Sequence, residues 1–229
     1  MLVTCEHGGN HVPPRYRGLL VGLQKQLNTH RGYDIGALLM ARQMAAAFTA
    51  PLVASTVSRL LVDLNRSIGH PRLHALAVRA AAPEVRAQII ARHYIPYRAR
   101  AESLVRTAIG RGRRVIHISS HSFTPELNGK VRSADVGLLY HPARAQEARL
   151  CERWKTEISR VAPGLRVRRN YPYAGKDDGF MRHLRSRYRA AMYSGIELEV
   201  NQAIVLGPAR RWAEVRSALV ESLRATLGR

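Results

Sequence analysis

Short apolar runs rich in valine, isoleucine and leucine alternate along the 229 residues with longer stretches at helical periodicity, and this alternation limits the fold most. Strand-like runs fall at residues 2–5, 51–55, 116–123, 134–140, 165–169 and 195–202. Helical patterns cover residues 35–48, 83–110, 143–161, 180–193 and 208–227, with Pro96 set to kink the second. Strands separated by helices favour parallel neighbours, so the chain is expected to form an α/β three-layer sandwich. Its sheet would be mixed and mostly parallel, with helices on both faces. The length suits one domain with a full core, and no repeat or low-complexity linker interrupts residues 1–229.

Three of the strands carry polar residues where chemistry would need them. The first runs straight into Glu6-His7-Gly8-Gly9-Asn10, and the strand around Ile116 ends in Ser120-His121-Ser122-Phe123. A late strand carries Glu197 and Glu199. A strand end holds a side chain stiffly, and paired glycines let a ligand approach the backbone. Two strand-end histidines with an acidic strand suggest a hydrolytic metal site, because zinc takes imidazole and carboxylate ligands and keeps one position open. By period-two counting His117, Ser119 and His121 share a face, and His121, at the exit, is the better ligand. Asp34 stands at the start of the first long helix, either as an ordinary N-cap or as a carboxylate presented to the site. Arg59, Asp63, Asn65 and Arg66 suit a salt-bridged network or the bidentate binding of a carboxylate. The polar segment 170–179 is a wall of the site or a solvated loop.

Charge bears on the partner. Thirty-seven Lys and Arg against 16 acidic residues give a net charge of +21, a field that attracts anions. The basic residues form no run of five or more and have few aromatics among them, so nucleic acid is not expected as the main partner. Cys5 and Cys151 read as buried, reduced thiols. The chain opens in a strand rather than in a secretory signal, and no apolar run has the length of a membrane span, so a cytoplasmic location is expected.

Six ordered motifs resemble those of the N-formylglutamate amidohydrolase family. They are Cys5-Glu6-His7-Gly8-Gly9-Asn10, Tyr33-Asp34-Ile35-Gly36, Arg59 through Asp63-Leu64-Asn65-Arg66, Ser120-His121-Ser122-Phe123, Asn170-Tyr171-Pro172-Tyr173 with Gly175, and Glu197-Leu198-Glu199-Val200-Asn201. The resemblance runs from residue 2 to about residue 205. It implies a zinc-carboxypeptidase-like fold in a bacterial enzyme, one zinc per chain, and a place in histidine degradation. The implied reaction is hydrolysis of N-formyl-L-glutamate, or of a related N-acyl amino acid, to formate and the free amino acid. His7 and His121 match two histidine ligands, and Glu199 matches a general base. Asn10 stands where the carboxypeptidase-like pattern has a glutamate, so the third ligand is expected from Asp34, held at its helix start, with Glu6 or Asn10 as alternatives. Arg59 and Arg66, oriented by Asn65, would bind the substrate carboxylates. The rival expectation is a metal-free basic protein that uses the same fold to bind nucleic acid or another polyanion.

Overall fold

The computed structural model describes residues 1–228. β1 (Leu2–Cys5) is followed by a 3-10 segment, Pro14–Leu20, then α1 (Gln24–Leu27) and α2 (Ala37–Ala47). β2 (Leu52–Ala54) leads through turns to α3 (Leu76–Arg79) and α4 (Pro83–Ile89), and a π-helical segment, Ile90–Tyr94, joins α4 to α5 (Ile95–Gly110). Next come β3 (Val115–Phe123), a hairpin of β4 (Glu126–Leu127) and β5 (Lys130–Val131), β6 (Val136–Leu139) and α6 (Ala145–Val161). β7 (Val167–Arg169), α7 (Phe180–Arg187), β8 (Tyr193–Asn201), α8 (Gln202–Val205) and α9 (Ala209–Thr226) follow.

Six strands make one sheet in the order β2-β1-β3-β8-β6-β7. The first four are parallel, β6 runs antiparallel to β8, and β7 runs parallel to β6 at the edge. This is the mixed, mostly parallel sheet that the alternation of elements leads one to expect. On one face Val3, Ile118 and Leu198 pack against Met40 of α2, Trp154 of α6 and Leu219 of α9. On the other, Leu2, Val53 and Val115 pack against Ile89 of α4, Val105 of α5 and Leu184 of α7. Apolar side chains fill both layers, as a central sheet covered twice requires.

The second face turns polar towards the C-terminal ends of the parallel strands. His117 lies opposite Gly195, Ser119 opposite Glu197, and His121 opposite Glu199, so paired positions point to the same side. Thr4 of β1 extends the Ser119 row, and Gly137 of β6 extends the Glu199 row. Open α/β sheets collect their ligands at these strand ends.

Two helices depart from the sequence expectation. Residues 83–110 are not one kinked helix: the wide π turn at Ile90–Tyr94 lets Pro96 fall in the first turn of α5, where a missing N–H costs nothing. The helix expected to reach residue 193 stops at Arg187, because Tyr193 already belongs to β8, paired with Val115, while its ring meets His117. Cys5 and Cys151 are both free and buried. No helix among the described residues is long and apolar enough to cross a membrane.

Candidate active site

His7 lies two residues beyond the end of β1, where the chain leans on the exit from β2. The Gly8 amide donates to the Ser55 carbonyl, and a Cβ on Gly9 would stand 2.8 Å from the Thr56 carbonyl oxygen, so only glycine allows this approach. The carbonyl of His7 accepts from the Asp34 amide at 2.9 Å, which ties the loop before α2 to the strand end. Asp34 is not the cap of that helix. Gly36, at φ 82°, takes the cap position, and the Asp34 side chain is free to turn towards the histidines.

One oxygen of Asp34 gathers both imidazoles. Asp34 Oδ2 lies 3.3 Å from His7 Nδ1 and 2.8 Å from His121 Nδ1. The potential ligand atoms of His7, Asp34 and His121 all fall within 4.8 Å of one another, and all three residues are buried. The far nitrogens are held by carboxylates: His7 Nε2 is 2.7 Å from Asp63 Oδ1, and His121 Nε2 is 3.1 Å from Glu6 Oε2. Arg59 ties the two aspartates together, at 3.2 Å from Asp34 Oδ1 and 2.8 Å from Asp63 Oδ2.

The electrostatics follow from burial and pairing. Burial alone would raise the carboxyls of Asp34 and Asp63, but the His7 and Arg59 charges outweigh it and hold both well below the usual carboxylate range. Glu6 is likewise held low, against burial, by hydrogen bonds from His121 and Ser119. His121 is raised in turn by Asp34 and Glu6. Glu199 goes the other way: burial, aided by Asp34 and Glu197, pushes its carboxyl up to about 8, and its Oε2 has no hydrogen-bond partner. A buried orphan oxygen beside two histidines and a carboxylate suits a missing cation with its water.

The remaining expected residues are spread over the site and its supports. Glu6 faces the back of His121 and also accepts from the Tyr97 hydroxyl at 2.9 Å, so its oxygens are engaged away from the cluster. Asn10 donates to Asn28 at the exposed edge and does not join the cluster. Arg59 and Arg66 both line an open cleft of about 690 Å³ with Asp34, Asp63 and Tyr173. Arg66 also donates to the Asp178 carbonyl at 2.8 Å. Asn65 does not orient either arginine; its Oδ1 accepts the Phe180 amide at 2.7 Å, holding the start of α7. Segment 170–179 is a wall: Tyr173 lines the cleft, its hydroxyl bonded to Arg132. His117 sits in the core between the hydroxyls of Thr4 and Tyr193, each at 2.8 Å. Sequence reasoning missed Tyr97, Ser119 and the particular work of Asp63. Of these only Asp63, four residues after Arg59, left a trace in the sequence.

The family model for N-formylglutamate amidohydrolase matches residues 1–206. The chain belongs to the N-formylglutamate amidohydrolase family. Among solved structures this family member is similar to the gene product Atu2144 of Agrobacterium tumefaciens, with 26% identity, a TM-score of 0.85, and 99% of this chain and 90% of that one covered. It also shares the fold of an N-formylglutamate amidohydrolase from Ralstonia eutropha JMP134, with 18% identity, a TM-score of 0.67, and 99% and 93% of the two chains covered. No curated protein matches the chain. As an N-formylglutamate amidohydrolase family member it is a hydrolase of amide bonds.

Proposed function

We propose that the chain is a zinc-dependent amidohydrolase that cleaves N-formyl-L-glutamate or a related N-acyl amino acid. The observation that carries this reading is the way both imidazoles turn Nδ1 to one oxygen of Asp34 while a carboxylate holds each Nε2. Carboxylate-backed histidines are fixed in the tautomer that leaves Nδ1 as a lone pair, the form a cation binds. His7, Asp34 and His121 would hold the ion, and Glu6 and Asp63 would orient the histidines. Bound there, zinc supplies Lewis acidity towards the acyl oxygen and makes a water acidic near neutral pH.

The rest of the reaction belongs to this chain's own residues. Glu199, in register with His121, takes the proton of the attacking water and returns it to the nitrogen of the leaving amine. The water oxygen joins the acyl carbon, the C–N bond breaks, and the acid and the free amino acid leave. Its raised proton affinity suits a carboxyl that must hold a proton between those two transfers. Arg59 and Arg66 meet the substrate carboxylates with the N–H groups that their protein partners leave over, and the net charge of +21 draws an anionic substrate in. Asn65 supports them only through the segment it ties down. Glu199→Gln tests the assignment: the variant is expected to keep its metal and lose about 100-fold or more in kcat. Unchanged turnover would overturn the role of Glu199.

A further inference from the structure

The cleft above the triad does not end where a formyl group and a glutamate would. Beyond His74 it opens into a second hollow of about 610 Å³, and the two share Pro71, His74, Leu76 and Arg79 as a common wall. Each hollow alone is in the range of sites that take drug-sized ligands, roughly 300–1,000 Å³.

The two hollows differ in chemistry. Arg31 and Arg72 line only the first, are exposed, and form no ion pair among the described residues. The second is lined by Ile68, Leu73, Ala80 and Ile90, and continues outwards onto the exposed side chains of Ile68 and Leu76. Its arginines do not make it an anion site. Arg79 donates to the Pro71 carbonyl and Arg86 to the Arg79 carbonyl, so their heads are drawn to the backbone and their aliphatic stems wall the hollow. At the junction His74 donates from Nδ1 to the Leu61 carbonyl at 2.7 Å, and Nε2, buried, has no partner. Burial holds this imidazole neutral, so the passage carries no charge that would repel a hydrocarbon.

We propose that the amide hydrolysed at this site carries an apolar acyl chain larger than formyl, which lies in the second hollow while the amino-acid carboxylates face Arg31 and Arg72. The inference rests on the hydrolase reading above and narrows its substrate to N-acyl amino acids of medium chain length. The bond chemistry is unchanged: water's oxygen joins the acyl carbon, the C–N bond breaks, and the amine takes the proton. The products are a short fatty acid and the free amino acid.

The test uses the zinc-loaded protein and N-acyl-L-glutamates from formyl to octanoyl, with kcat/KM measured for each. Uncleavable N-alkyl-glutamates of the same lengths are titrated in parallel by calorimetry. Burial of each methylene is expected to improve binding about three- to fourfold, so affinity and kcat/KM should rise at least tenfold along the series. Ala80→Trp, at the exposed end of α3, should collapse the octanoyl-to-formyl ratio by tenfold or more. A series in which formyl is the fastest substrate and affinity is flat with chain length would overturn the inference and leave the hydrolase reading standing. Hydrolysis of none of the series would overturn the hydrolase reading, while affinity rising with chain length would still support the apolar seat.

Discussion

At Asp34 a single side chain meets two histidines and an arginine, and everything near it is arranged to keep it ionised. Asp63 and Glu6 repeat the pattern one step further out, each spending an oxygen on a far imidazole nitrogen. Removing such a partner leaves the ligand in place but less basic and free to turn. Asp63→Asn is therefore expected to weaken zinc binding by roughly 10- to 100-fold, read by competition with a chelating dye. Affinity equal to the wild type would separate Asp63 from the metal site. Gly137 matters for a different reason. It lies opposite Glu199 in the sheet, and a Cβ there would stand 2.1 Å from the Tyr171 carbonyl and 3.2 Å from Glu199 Cβ. Gly137→Ala should cost about 1–3 kcal/mol in denaturant unfolding, because backbone rather than a pliable side chain has to yield.

At the scale of elements, β3 and β8 do most of the positioning. Their nine paired residues set His121 beside Glu199 and Ser119 beside Glu197 by register alone. A slip of one residue would send the whole row into the apolar layer under α2, α6 and α9. This part was legible in the sequence, because period-two alternation and strand-end histidines are local signals. The gathering of His7, Asp34 and His121 was legible as residue types too. How Asp34 is presented was not. A helix cap is read from neighbouring residues, whereas its real partners stand 27 and 87 residues away, and Gly36 takes the cap position with a left-handed backbone. Asn65 misled for the same reason: next to Arg66 in sequence, it works for Phe180, 115 residues on. The π segment was equally hidden, since Pro96 signals an interruption without saying how the chain absorbs it.

For the molecule as a whole, the buried polar row couples stability to pH. His117 lies between two hydroxyls in the core, and burial, with the Arg185 and His121 charges, holds its imidazole down to about 4. In the unfolded chain the same ring has its ordinary value near 6.5. Between those values the unfolded state binds more protons, so stability rises with pH across the window and is lost as pH falls from about 6.5 to 4. The full loss is on the order of 3 kcal/mol. His117→Gln should flatten that slope in unfolding curves taken from pH 7 to 4, and an unchanged slope would assign the acid sensitivity to other groups. The carboxylates of Glu6, Asp34 and Asp63, all held low, add their own loss at still lower pH. The basic surface sets the partner rather than the fold: +21 over 229 residues favours anions at the cleft mouth. Whether the polar row is a metal site decides between a hydrolase and a basic binding protein on the same fold. Metal analysis of the purified wild type beside His7→Ala and His121→Ala decides it most directly. The expected result is about one zinc per chain in the wild type and none in either variant; a wild type that stays metal-free after zinc is supplied would contradict the proposed chemistry.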